Sequence, residues 1–158
     1  MLFVCTGNIC RSPLAEGLLR ALADEAGLGR VVEVDSAATH DYEVGDPPDA
    51  RAVEAARRRG IDIAEQRARQ IEPSDFESFD LIIALDRGHR AILRKLAPPE
   101  LRDRIRLLME FSPGDRGGGD LDVPDPYYGD AEGFDPVRDQ IERGVEGLLD
   151  YLRTERLI

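Results

Sequence analysis

Apolar positions along the chain come in short blocks separated by polar punctuation, and each block has a readable period. Met1 to Cys5 is a continuous apolar run stopped by Thr6-Gly7-Asn8, the pattern of a buried strand. Ser12-Pro13 then offers a helix N-cap and a proline for the first helical position. Leu14, Leu18 and Leu22 recur at four-residue spacing, which predicts an amphipathic helix ending near Gly27. Val31 to Val34 reads as a second short strand, followed by Ser36-Ala37-Ala38. Strand, helix and strand together predict a βαβ unit with a right-handed crossover.

Asp41 to Asp49 is a polar loop with Gly45 and Pro47-Pro48. A helix follows, with Val53 and Ala56 inward, Arg57-Arg58-Arg59 as a solvated face, and Gly60 closing it. Leu81-Ile82-Ile83-Ala84-Leu85 is apolar on both faces, as a central parallel strand should be. Another helix is expected over Arg87 to Leu96, and a fourth strand over Ile105 to Phe111. Ser112 to Pro126 is a long Gly- and Asp-rich loop, a length that points to function, with Gly117-Gly118-Gly119 as a flexible surface segment. The last helix carries Phe134, Val137, Ile141, Val145, Leu148 and Leu152 on one face. The pattern predicts an α/β fold, a single domain over residues 1–158. Its core would be an open parallel four-stranded sheet in order 2-1-3-4 with helices on both faces. Ligands of such sheets bind beyond the carboxyl end of the first strand, where the winding reverses. Cys5 sits there.

Composition narrows the class. A chain of 158 residues can bury a proper core without a disulfide or metal staple. The net charge of −11 argues against a nucleic-acid or anionic-membrane surface. The two cysteines, Cys5 and Cys10, are too few for a disulfide framework or a four-cysteine zinc site. The two histidines, His40 and His89, lack metal-ligand spacing and read as surface residues, His40 lying near the Tyr42 loop. No run approaches the length of a membrane span, and the opening residues do not read as a signal peptide. A reducing cytoplasm is the expected compartment.

The chemistry concentrates in Cys5-Thr6-Gly7-Asn8-Ile9-Cys10-Arg11-Ser12, a Cys-x5-Arg-Ser loop between a strand and a helix start. Such a loop can curl so that successive amides point inward, and the helix N-terminus adds its positive dipole end. Arg11 offers a planar fork matched to two phosphate oxygens. The field that binds an anion also favours a Cys5 thiolate, a nucleophile placed beneath a bound phosphoryl group.

The run from Val4 to Glu16, Val4-Cys5-Thr6-Gly7-Asn8-Ile9-Cys10-Arg11-Ser12-Pro13-Leu14-Ala15-Glu16, resembles the signature of the low-molecular-weight protein tyrosine phosphatases. The likeness extends along nearly the whole chain. Asp35-Ser36-Ala37 is similar to the family's second-strand exit and Tyr42-Glu43-Val44-Gly45 to its substrate-side loop. Arg67-Ala68-Arg69-Gln70 resembles a further family segment, and Asp125-Pro126-Tyr127-Tyr128-Gly129 the loop carrying the general acid. The resemblance implies the flavodoxin-like, phosphotyrosine phosphatase I-like variant of the fold. It also implies hydrolysis of phosphotyrosine and small aryl phosphate monoesters through a cysteinyl-phosphate.

In that scheme Cys5 is the nucleophile, Arg11 holds the phosphoryl oxygens and Asp125 is the general acid, then the base. Residue type alone leaves Asp125 level with Asp120, Asp122, Asp130 and Asp135. Thr6, Gly7, Asn8, Ile9, Cys10, Arg11 and Ser12 form the phosphate cradle, Ser12 donating to the sulfur and Asn8 shaping the loop. Ile9, Tyr42, Tyr127 and Tyr128 wall the substrate pocket. A branched residue such as Ile9 goes with tyrosine rather than arginine substrates in the family. Many relatives have Trp at the Tyr42 position and His where this chain has Glu65-Gln66, so loop support there falls to Gln66. In relatives with the Cys5–Cys10 pair, a reversible disulfide shields the nucleophile; a buried filler is the alternative role for Cys10. Arg11 and amides carry the charge stabilisation, so neither metal nor other cofactor is expected, and the partner is a phosphotyrosine protein or small aryl phosphate. An acid that starts protonated and a thiol that starts ionised imply a mildly acidic optimum. Two alternatives stand beside this. One is an arsenate reductase-like enzyme, which would need further cysteines beyond Cys10. The other is a catalytically silent phosphopeptide-binding module, which would need neither Cys5 nor Asp125.

Overall fold

The computed structural model describes residues 1–113 and 121–158, so the expectations for Gly117-Gly118-Gly119 and Asp120 lie outside the described residues. Four strands, β1 (Leu2–Cys5), β2 (Asp35–Ala38), β3 (Ile82–Ala84) and β4 (Ile105–Leu107), pair in parallel in the order β2-β1-β3-β4. Helices α1 (Arg11–Glu25), α2 (Ala50–Arg58) and α5 (Phe134–Thr154) cover one face of the sheet. The short α3 (Asp75–Ser78) and α4 (Arg87–Leu96) cover the other.

The pleat of β1 sends Phe3 and Cys5 to the first face and Leu2 and Val4 to the second. Ile83 and Ile82 of β3 divide the same way. Both central strands are therefore apolar throughout, and each fully buried Leu, Ile or Phe contributes about 1.5–3 kcal/mol relative to exposure. The six apolar residues expected on α5 are all buried, packed chiefly on α1.

Five expectations need correction. The second strand is not Val31–Val34 but Asp35–Ala38. Residues 31 and 32 bond back to the Leu28 carbonyl as the exit of α1, and the ladder with β1 starts at the Leu2–Asp35 pair. Helix α1 begins at Arg11, so Ser12 is inside its first turn rather than its cap. The cap position, Cys10, makes no side-chain capping bond. The fourth strand stops at Leu107, where Glu110 reaches back to the Leu107 amide and closes a 3₁₀ turn over Leu108–Phe111. His89 is buried, 4% exposed, rather than on the surface. The arginine face of α2 is also more than solvated, because Arg58 pairs with Asp135 at 2.8 Å and Arg59 with Glu142, tying α2 to α5.

Candidate active site

The chain leaves β1 at Cys5 and enters α1 at Arg11, and the loop between them is held by its own side chains. Asn8 adopts φ 60°, a left-handed conformation that asparagine tolerates better than most residues. Its buried amide donates to Ser12 Oγ at 2.8 Å and Ser36 Oγ at 2.9 Å, and its Oδ1 accepts from the Arg69 amide at 3.1 Å. Ser36 in turn donates to Glu16 at 2.7 Å. Ser12 Oγ lies 3.0 Å from Cys5 Sγ, and since it already accepts from Asn8, its own hydrogen is free for an ionised sulfur. Gly7 lies close to Glu43: a Cβ there would come within 3.2 Å of Glu43 Cγ, so that side chain would have to give by a few tenths of an ångström.

Among the described residues, the amides from Gly7 to Ser12 have no carbonyl or side-chain partner. Such a row of unpaired donors at a helix start has the chemistry to hold an anion. Arg11 completes it. Its buried guanidinium gives Nη1 to Asp86 Oδ2 at 2.9 Å and to the Val123 carbonyl at 3.0 Å. Nε is buried without a partner among the described residues, and Nη2 stands 3.6 Å from Asp125 Oδ2. One edge of the fork is thus spent on protein, and the Nε–Nη2 edge remains for a ligand.

Asp86 is the N-cap of α4, accepting from the His89 amide at 2.8 Å. His89 Nε2 meets Thr6 Oγ1 at 2.8 Å, while Nδ1 lies 3.1 Å from Asp86 Oδ1, off the hydrogen-bonding direction. Burial pushes the imidazole down to about 4, with Arg11 pressing the same way and Asp86 and Asp125 opposing it. His89 is therefore neutral at pH 7. Cys10 is buried, and desolvation, with Asp49 and Cys5 adding to it, raises its thiol well above the ordinary range. Both cysteines are free thiols.

Asp125 caps the 3₁₀ turn Pro126–Tyr128, accepting from the Tyr127 amide at 3.0 Å. Tyr127 and Tyr128 meet edge to face at 5.1 Å, and across the mouth Tyr42 stacks on His40 at 5.0 Å. A pocket of about 310 Å³ lies between them, floored by Cys5, Ile9 and Arg11 and rimmed by Glu43 and Asp125. Thr6, Gly7 and Cys10 also line it, whereas Asn8 and Ser12 lie behind the loop wall. Gln66 donates to the Pro13 carbonyl at 3.2 Å, so it does brace the first turn of α1.

Sequence reasoning gave Asp86 no role, read His89 as a surface residue, and placed Glu43 in the substrate-side loop without a role of its own. Asp86 had a signal, since it directly follows the apolar run of β3 at the carboxyl edge where ligands bind. Glu43 lay within the Tyr42-Glu43-Val44-Gly45 stretch likened to the substrate-side loop, whereas the His89–Thr6 contact had no signal because it depends on a long-range approach.

The chain matches the family model for low molecular weight phosphotyrosine protein phosphatase over residues 1–157. It is 49% identical over 157 residues to a low molecular weight protein-tyrosine-phosphatase of Streptomyces coelicolor, covering 97% of this chain and 93% of that protein. The solved protein tyrosine phosphatase of Entamoeba histolytica superposes with TM-score 0.91 at 34% identity, covering 98% of this chain and 97% of that one. The YwlE arginine phosphatase, a Bacillus subtilis protein, superposes with TM-score 0.85 at 32% identity, covering 98% and 96%; its structure is a Cys-to-Ser mutant with a phosphorylated active site serine. The chain belongs to the low molecular weight phosphotyrosine protein phosphatase family. Among the described residues no helix is long and apolar enough to cross a membrane, and no cluster of three or more His, Cys, Asp or Glu could hold a metal ion.

Proposed function

We propose that this protein, acting as one domain over residues 1–158, hydrolyses phosphotyrosine and small aryl phosphates through a phosphate covalently bound to Cys5. The observation that carries this is Arg11 lining one pocket with Cys5, Gly7, Ile9 and Cys10, its Nε without a partner and its Nη2 meeting Asp125 only at 3.6 Å, beside the unpaired amides of Gly7 to Ser12 and a sulfur 3.0 Å from Ser12 Oγ among the described residues. Three equatorial phosphoryl oxygens would take those donors, leaving Cys5 Sγ beneath phosphorus and the ester oxygen pointing out towards Asp125.

Attack by the Cys5 thiolate forms the S–P bond as the P–O bond to the leaving group breaks, and Asp125 as the neutral acid protonates the departing phenolate. Asp125, now a carboxylate, takes a proton from water, which attacks phosphorus and releases phosphate and the Cys5 thiolate. Arg11 and the amides stabilise the equatorial charge in both steps, and the Ser12 hydroxyl stabilises the sulfur when it leaves. The phosphorylated active site serine of the YwlE Cys-to-Ser mutant supports a covalent route on this fold. The aromatic rims of Tyr42, Tyr127 and Tyr128 suit an aryl group, each ring pair adding about 0.5–1.5 kcal/mol beyond burial. Branched Ile9 narrows the floor and favours tyrosine over arginine as the phosphate carrier. A thiol that must stay reduced fits a cytoplasmic setting.

The test is Cys5→Ser assayed with para-nitrophenyl phosphate, with inorganic phosphate binding followed by calorimetry. Turnover should be lost while phosphate still binds. Near-normal turnover in that variant would refute the proposal.

A further inference from the structure

We propose that Arg51, outside the phosphate loop, is the positioning residue that fixes Asp125 over the bound phosphoryl group; this rests on Asp125 being the general acid. Two independent sets of contacts meet at this guanidinium. On one side the start of α2 is anchored to the phosphate loop, because the Asp49 amide donates to the Ile9 carbonyl at 2.8 Å. Asp49 caps α2 and grips Arg51 with both carboxylate oxygens, Oδ1 to Nε at 3.0 Å and Oδ2 to Nη2 at 2.9 Å. That bidentate grip aims the guanidinium and holds the Asp49 carboxyl below its ordinary range.

On the other side Arg51 reaches the acid-bearing turn. Nη2 donates to the Tyr127 carbonyl and Nη1 to the Gly129 carbonyl, both at 3.0 Å. The guanidinium also lies over the Phe134 ring at 4.7 Å and the Tyr127 ring at 5.6 Å. Among the described residues no other side chain outside the turn bonds a carbonyl of residues 127–129, while Tyr128 is 88% exposed. Among the described residues the carboxylate of Asp125 is otherwise fixed only by the Tyr127 amide inside the same turn and by Arg11 at 3.6 Å. Arg51 is thus the side chain through which the position of the acid is referred to the loop that holds phosphate.

Misplacement of a reacting group by about 1 Å can cost roughly a hundredfold in rate. The loss should appear only where protonation of the leaving group is demanding. The experiment measures kcat/KM for Arg51→Ala and Asp49→Asn over aryl phosphates whose phenols span weak to strong acids, with Asp125→Ala in parallel. Arg51→Ala should lose about 10- to 100-fold on phenyl phosphate and less than about threefold on the most acidic phenol. Inhibition by phosphate and alkylation of Cys5 should stay as in the parent. Asp49→Asn keeps a good helix cap and should shift the series the same way, which covers the case of an unstable Arg51 variant. In an Asp125→Ala background Arg51→Ala should add less than about twofold, as coupled residues do. A uniform loss across the series, or none, in both variants while Asp125→Ala steepens it would overturn the role of Arg51. A flat series in Asp125→Ala itself would overturn the assignment of the acid, and this inference with it.

Discussion

Replacing Asn8 by alanine tests how the phosphate loop is held open. The substitution removes the bonds to Ser12 at 2.8 Å, to Ser36 at 2.9 Å and from the Arg69 amide at 3.1 Å. At about 1 kcal/mol net for each, that is roughly 3 kcal/mol. Alanine would also sit at φ 60°, adding about 1 kcal/mol of left-handed strain. The expected loss is about 3–4 kcal/mol, a large share of an ordinary domain stability. Glycine loses the same bonds but not the backbone fit, so Asn8→Gly should be more stable than Asn8→Ala by about 1 kcal/mol although it is the smaller residue. Urea unfolding measures this, in phosphate-free buffer, since phosphate bound to the native state would add stability of its own. A loss under about 0.5 kcal/mol for Asn8→Ala, or an alanine variant more stable than the glycine one, would refute the reasoning.

Arg11→Lys keeps the charge but cannot serve Asp86, Val123 and a phosphate edge together, so kcat should fall by about 10²–10³-fold in steady-state assays. Gly147→Ala would drive a Cβ into the Phe111 carbonyl, where α5 crosses the Leu108–Phe111 turn. Thermal melting should show a loss of roughly 3 kcal/mol or more, with kcat/KM of the folded fraction little changed. The buried imidazole of His89 protonates near 4 when folded but near 6.5 when unfolded, so the unfolded chain binds more protons between those values. Stability should therefore fall as pH drops from about 6.5 to 4, by about 2–3 kcal/mol over the window from this group. Denaturation of the parent and His89→Gln at pH 7 and 5 checks it, the parent losing more; equal slopes would contradict the burial argument.

The sheet order and the candidate loop of residues 5–12 were legible because each rests on local signals: a two-sided apolar run for β1 and β3, and a cysteine, glycine and arginine between a strand and a helix start. The displaced second strand was not. Ser36 serves Asn8 and Glu16 and is followed by the small Ala37 and Ala38, so the true strand carries less apolar signal than the valines before it. Short α3 offers too few residues for a period to show. Ser12-Pro13 misled because the loop spends Ser12 on the sulfur and leaves the first amides of α1 uncapped. His89 and Arg51 act through partners roughly eighty residues away in sequence, Thr6 for the first and Tyr127 and Gly129 for the second. No local pattern encodes such contacts.

The covalent intermediate can be sought directly by quenching the protein in alkaline detergent, where an S–P bond survives, within milliseconds of mixing with a ³²P-labelled aryl phosphate and mapping the label by peptide analysis at alkaline pH. Radioactivity on the peptide containing Cys5, absent from Cys5→Ser, with a burst of about one phenol per chain, is the predicted result. Steady release of phenol without a burst, and no labelled peptide at any quench time, would contradict it.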